Sequence, residues 1–266
     1  MPVDAKITDL TPLTDADRDR ITALADRQRR ANGLLMRAIN FVGGQVEDTL
    51  KILPKAVRTQ IDGAARVALE NSYELAAKSR GGPVGQAVNT DRMHKVMATL
   101  SGALGGLGGL PTALAELPVA TTMIFRAVQG VAAQYGEDPT SSETRLQALA
   151  VFGAGAPVDG KPADGIDTSF IGARLGLSGA AVHTLIGRVA PRFATVLTQK
   201  LASQAVPLLG AAAGAGTNYA FTQYYVEMAH VHFGLRQMVR THGEDAVLDL
   251  FHARLGNAQV VARATS

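Results

Sequence analysis

Cysteine is absent from the 266 residues. No disulfide, thiol nucleophile or Cys-ligated zinc or iron–sulfur centre can form, and a reducing compartment is permitted. Tryptophan is absent too, and aromatic residues make up only 5% of the chain. With Ala and Gly abundant, the interior is expected to rest on small side chains that let helices approach closely, not on packed rings. Charged residues are scarce at 18% against 47% apolar, which favours a globular or membrane-associated protein over a disordered one. The net charge of +3 comes without runs of Lys or Arg and without basic residues interleaved with aromatics, so no nucleic-acid partner is expected. The opening MPVDAKITDL has neither a basic n-region nor an apolar h-region, so synthesis and retention in the cytoplasm are expected. No G-x-S-x-G elbow, Walker A lysine, H-E-x-x-H or strand-linked nucleotide-binding glycine pattern occurs. The GALGGLGG run lacks the strand and the lysine of a phosphate loop and reads as a surface for close helix packing.

The charge that is present is unevenly placed. Residues 1–95 carry 15 Lys/Arg and 12 Asp/Glu, whereas residues 96–226 carry 7 of each sign. The front of the chain therefore reads as solvated helices and the middle as buried. Thr14 followed by Asp17 is a capping signal for a first helix running toward Arg30. Leu34, Leu35, Ala38, Ile39, Val42, Val46, Leu50 and Leu53 continue at helical spacing, and residues 55–79 predict a third helix that Arg80-Gly81-Gly82-Pro83 ends. Neither strand alternation nor β-branched runs appear. The polar stretch 156–169, APVDGKPADGIDTS, predicts a surface loop inside one domain. The expected fold is all-α: a single multi-helix domain with Gly/Ala-rich, tightly packed central helices.

Residues 96–115 and 201–226 contain no charge. Gly102 and Gly106, Gly105 and Gly109, and Gly210 and Gly214 lie four apart, a helix-association spacing in lipid, and about 20 apolar residues can span a bilayer. Pro111, Pro207, the glycines themselves and an Ala-level hydrophobicity favour buried core helices instead. Shallow insertion into a membrane surface is the remaining alternative.

Two segments carry a family resemblance: GLPTALAELPVATTMIFRAVQGVAAQYGEDPTSSETRLQALAVFG at 109–153, and RFATVLTQKLASQAVPLLGAAAGAGTNYAFTQYYVEMAHVHFGLRQM at 192–238. Their ELP, TT, FR, GED, RF, AVP, N-x-x-F and HF elements, in this order, resemble the signature blocks of the EcsC family. The resemblance spans residues 33–242, with 1–32 as an N-terminal helical extension and 243–266 as a C-terminal helix and tail. It implies a role beside an ABC-transport or secretion system of the cell envelope, with a hydrolase as an alternative. It implies no cofactor. Two departures stand out. Gln223 and Tyr224 occupy the place of an acid–His pair found in many members, and His230 stands where an Arg is usual.

The candidate site residues are few. Glu116 precedes Leu117-Pro118, and Pro118 suits the first position of a helix, which would put Glu116 beside a helix N-terminus. Arg126 sits in an otherwise uncharged segment, so a carboxylate from Glu116, Glu143 or Glu227 is expected to meet it. Asp91 with His94, and Glu227 with His230, have the i, i+3 spacing of carboxylate-bridged metal bundles, a weak metal alternative to no metal at all. His230 and His232 are about 200° apart on a helix and cannot share a metal. His232 instead falls on the stripe Asn218, Phe221, Tyr225, Met228, His232 and Leu235, which predicts a buried, hydrogen-bonded histidine near Arg236. Asn218 and Arg236 are candidate binding residues, although Asn218 lies about 21 Å from His232 along the helix. The leading expectation is a non-enzymatic accessory or interaction protein at the inner face of the cytoplasmic membrane, with a protein partner or a membrane surface and no assigned small-molecule ligand. The alternative is a hydrolase, metal-assisted or not, with Glu116, Arg126, Glu227 and His232 around one buried polar centre. An integral membrane component is the third class. Convergence of those four side chains supports the enzyme, and dispersal into separate pairs supports the interaction protein.

Overall fold

The computed structural model describes residues 10–43, 55–78, 109–154, 165–171, 179–204 and 210–256. Among these are seven α-helices and one 3-10 turn, with no strand. The helices are α1 (Asp15–Gly43), α2 (Lys55–Lys78), α3 (Gly109–Gln134), α4 (Ser142–Val151), α5 (Gly179–Gln204), α6 (Gly210–His242) and α7 (Glu244–Leu255), and the turn, Thr168–Phe170, lies between α4 and α5. The all-α expectation is met. Residues 96–108 of the first uncharged segment, with Gly102, Gly105 and Gly106, lie outside the described residues, as does Pro207.

Local chemistry sets several helix ends. At α1 the Thr14 hydroxyl accepts from the Asp17 amide at 3.2 Å while the Asp17 carboxylate accepts from the Thr14 amide at 3.0 Å. This is the reciprocal cap expected from the sequence. Ser141 caps α4 by accepting from the Thr144 amide at 3.1 Å. Gly256, with φ 75°, closes α7 in the left-handed region that favours glycine.

Two expectations about boundaries are corrected. The first helix does not end near Arg30 but runs unbroken to Gly43. Pro118 does not start a helix; α3 begins at Gly109 and carries Pro118 in its interior. An interior proline costs about 3 kcal/mol. Burial of Leu117, Ile124 and Phe125 on the same helix contributes about 2 kcal/mol each, more than enough to offset it. The Thr122 hydroxyl donates to the Pro118 carbonyl at 2.7 Å and lies 3.1 Å from the Ser72 hydroxyl of α2, tying the proline turn to its neighbour. Glu116 is thereby removed from any helix N-terminus.

In the packing, α1 lies along α6, while α2 lies against both α3 and α5. Helix α4 is central: Thr144 and every residue from Leu146 to Val151 are buried, and it touches α2, α3, α5 and α6. The first helix is not merely a solvated surface element, since Ile21, Ala25 and Gln28 are all within 2% of complete burial. Aromatic rings, few as they are, are concentrated at the middle of the fold. Tyr73, Phe125, Phe152 and Tyr225 follow one another at centroid spacings of 6.2, 5.8 and 5.0 Å, and Phe193 meets both Phe152 and Tyr225. The expectation of a core without packed rings fails here, because composition counts rings but does not say where they meet. Buried alanines such as Ala25, Ala65, Ala68, Ala148 and Ala194 still let the helices approach closely around that chain of rings.

The described end of the polar stretch before α5 is not wholly on the surface. Residues 155–164 lie outside the described set, but Ile166 and Phe170 are buried. Gly165, at φ 81°, passes so close to Gln28 that a Cβ would stand 2.1 Å from its side chain. The Gln28 side-chain Oε1 accepts from the Ile166 amide at 3.3 Å. Asp167 caps the turn and pairs with Arg192 of α5.

Candidate functional site

Helix α6 carries most of the polar side chains that sequence reasoning selected. Its 3.6-residue period distributes them over two faces.

One face meets α4 and the turn after α3. Arg236 is almost buried; its Nε donates to Glu137 at 3.0 Å, one terminal nitrogen pairs with Glu143, and the other donates to the Ile171 carbonyl at 3.1 Å. Arg240 joins Glu137 at 2.6 Å. One turn earlier His232, 1% exposed, has Nε2 2.8 Å from the side-chain Oε1 of Gln147. Burial, reinforced by the nearby Arg236 charge, drives the His232 pKa down to about 3, so the ring is neutral at physiological pH. This is the buried histidine near Arg236 that the apolar stripe predicts. The described members of that stripe, Phe221, Tyr225, Met228 and Leu235, are all buried beside it.

The other face meets α1. Glu227 pairs with Arg27 and accepts from the Gln223 side chain at 2.6 Å. Three residues on, His230 Nδ1 lies 3.3 Å from the Tyr135 hydroxyl. Burial raises the Tyr135 pKa, which keeps the phenol protonated and able to donate. Arg20 donates to Gln237 at 3.1 Å farther along the same seam.

Two of the carboxylates expected at Arg126 are paired with other arginines. Of the three carboxylates proposed for Arg126, Glu143 is paired with Arg236 and Glu227 with Arg27; the side chain of Glu116 lies outside the described residues. Arg126 itself is half-buried, so the premise of a fully buried guanidinium does not hold. Glu227 and His232 face different partners, and the expected centre of Glu116, Arg126, Glu227 and His232 is not assembled by the described residues. Asn218 lies on α6 with its side chain outside the described set, and Asp91 and His94 lie outside it altogether. The Glu227–His230 half of the metal alternative has an arginine on its carboxylate and a tyrosine on its ring. Among the described residues no three His, Asp or Glu side chains are grouped to hold a metal ion. His230 and His232 contact different residues, as their angular separation requires.

Sequence reasoning missed Arg27, Tyr135, Glu137 and Gln147. Glu137 lies in the GED element and Gln147 is the one polar residue in LQALAVF, signals that could have been followed. Arg27 gave none, because only the docking of α1 on α6 brings it to Glu227.

Tyr224 is fully buried. Its hydroxyl and that of Tyr225 have no hydrogen-bond partner among the described residues, and burial pushes both phenols far above the usual range.

A model of the EcsC protein family matches residues 22–163, more than half of the chain. The chain belongs to the EcsC protein family. The matched stretch includes α2, α3 and α4 and the first signature block at 109–153; the second block, at 192–238, lies beyond it. No curated protein and no solved structure is matched by the chain. No helix among the described residues is long and apolar enough to cross a membrane. Part of the second uncharged segment, from Ala220 to Val226, is instead packed inside the fold, with only Gln223 less than fully buried.

Proposed function

We propose that this EcsC protein is a non-enzymatic helical accessory or interaction factor, working at the inner face of the cytoplasmic membrane beside an envelope transport or secretion system. The observation that carries the reading is the dispersal of Glu227, Arg236 and His232 into separate structural pairs among the described residues. Glu227 is spent on Arg27, Arg236 on Glu137 and Glu143, and His232 on Gln147. A general base needs access to the proton it removes and a pKa near the working pH. His232 has neither, being sealed in the core and neutral down to about pH 3.

The test is fractionation of cells expressing the full chain, with salt and carbonate washes. A peripheral factor sediments with membranes and is released by the washes. Retention through both washes would mean insertion, and recovery wholly in the supernatant before any wash would remove the membrane from the proposal.

A hydrolytic reading is favoured by one observation, the partly exposed seam where Tyr135, His230, Glu227 and Arg27 lie together. It predicts that Glu227→Gln abolishes hydrolysis of a chromogenic ester or phosphate panel without loss of fold. Equal rates in both proteins would exclude it.

A further inference from the structure

Arg145, on the first turn of α4, differs from three other buried or partly buried arginines around the core. Arg27, Arg192 and Arg236 each meet a carboxylate. Arg145 meets none among the described residues: its guanidinium lies over the Tyr73 ring, 4.7 Å from the centroid, and its one hydrogen bond is a long one, 3.3 Å, to the Ser142 hydroxyl. Its Nε is buried and has no hydrogen-bond partner among the described residues. A partly desolvated cation of this kind needs a counter-charge, since ring stacking on Tyr73 satisfies its face but not its N–H donors.

We propose that Arg145, stacked on Tyr73 and flanked by Ser142, is a binding subsite for a phosphoryl oxyanion. The planar fork of a guanidinium presents parallel N–H donors that match two oxygens of a phosphate, and the Tyr73 ring holds the plane in place. The Ser142 hydroxyl accepts from Arg145 and keeps its own proton to donate to the anion. The nearest acid on the helix, Glu143, is held by Arg236 and so does not neutralise the subsite. The same chemistry serves a free phosphate or the phosphodiester of a lipid headgroup.

The sign of a stability change separates this role from a structural one. If Arg145 awaits an anion, Arg145→Met in phosphate-free buffer leaves the melting temperature unchanged or raises it. A fall of several degrees would mean that Arg145 is satisfied within the fold, and would overturn the proposal. Inorganic phosphate, titrated against sodium chloride of equal ionic strength, is expected to raise the melting temperature of the wild-type chain and to leave that of Arg145→Met unmoved. Titration calorimetry should show phosphate binding weakened about 10- to 100-fold in Arg145→Met, and less in Ser142→Ala. Equal responses of wild type and Arg145→Met to phosphate would overturn the subsite. Vesicles of phosphatidylglycerol distinguish the sources: binding that Arg145→Met weakens identifies a headgroup, and Arg145-dependent binding of phosphate alone identifies a small ion.

Discussion

The two carboxylates on Arg236 should differ sharply in what they contribute. Glu137 is 9% exposed on its side chain and meets an arginine that is 10% exposed, whereas Glu143 is 45% exposed. Neutralising Glu137 leaves a buried guanidinium short of its best partner, and Glu137→Gln is expected to cost about 2–4 kcal/mol. The solvated Glu143 arm is screened by water, so Glu143→Gln should cost no more than about 1 kcal/mol. Arg236→Met removes the cation and strands the Glu137 carboxylate, with only the exposed Arg240 to meet it, for about 3–5 kcal/mol. It also frees the Ile171 carbonyl and loosens the segment before α5. The double variant Arg236→Met with Glu137→Gln should then be less destabilised than the sum of the singles, by about 1–3 kcal/mol. Urea unfolding at pH 7.5, followed by circular dichroism, measures all four proteins. The reasoning fails if Glu143→Gln costs as much as Glu137→Gln, or if the double variant is simply additive.

Other expectations follow from single residues. His232 binds a proton in the unfolded chain near pH 6.5 but in the folded one only near pH 3, so its stabilisation is complete above the unfolded value and is lost as pH falls toward 3. The slope approaches about 1.4 kcal/mol per pH unit, or about 2 kcal/mol between pH 6.5 and 5, and a His232→Gln chain should show a flatter stability profile over that range. Gly165→Ala forces a side chain into the left-handed region and against Gln28, and a loss of about 2–4 kcal/mol is expected in the urea midpoint. Ser141→Ala removes the α4 cap and should cost about 1 kcal/mol by the same measurement. Tyr224→Phe removes a buried hydroxyl that has no partner, so it should be neutral or stabilising by about 1 kcal/mol; a marked fall in melting temperature would show that the hydroxyl is in use.

What the sequence determined by itself is what depends on neighbours along the chain. The Thr14–Asp17 cap, the span of α2 and the buried stripe that carries His232 are local consequences of propensity and the 3.6-residue period, and each could be placed before any tertiary contact was known. The family was legible for the same reason, since its motifs are contiguous words. Helix α3 marks the limit of that logic: Pro118 is a start signal locally, but burial of the residues around it outweighs the cost of an interior proline. Pairing was decided only by tertiary structure. A buried arginine requires an acid, yet which acid depends on where helices cross. Packing of α1 on α6 gave Glu227 to Arg27, and the turn after α3 gave Glu137 to Arg236, 99 positions away in sequence. Ring packing was settled the same way, because Tyr73, Phe125, Phe152 and Tyr225 are too far apart in the chain for any period to relate them. Propensity acts over a few residues, whereas ion pairs and core contacts are set by the close packing of whole helices, which no local pattern encodes.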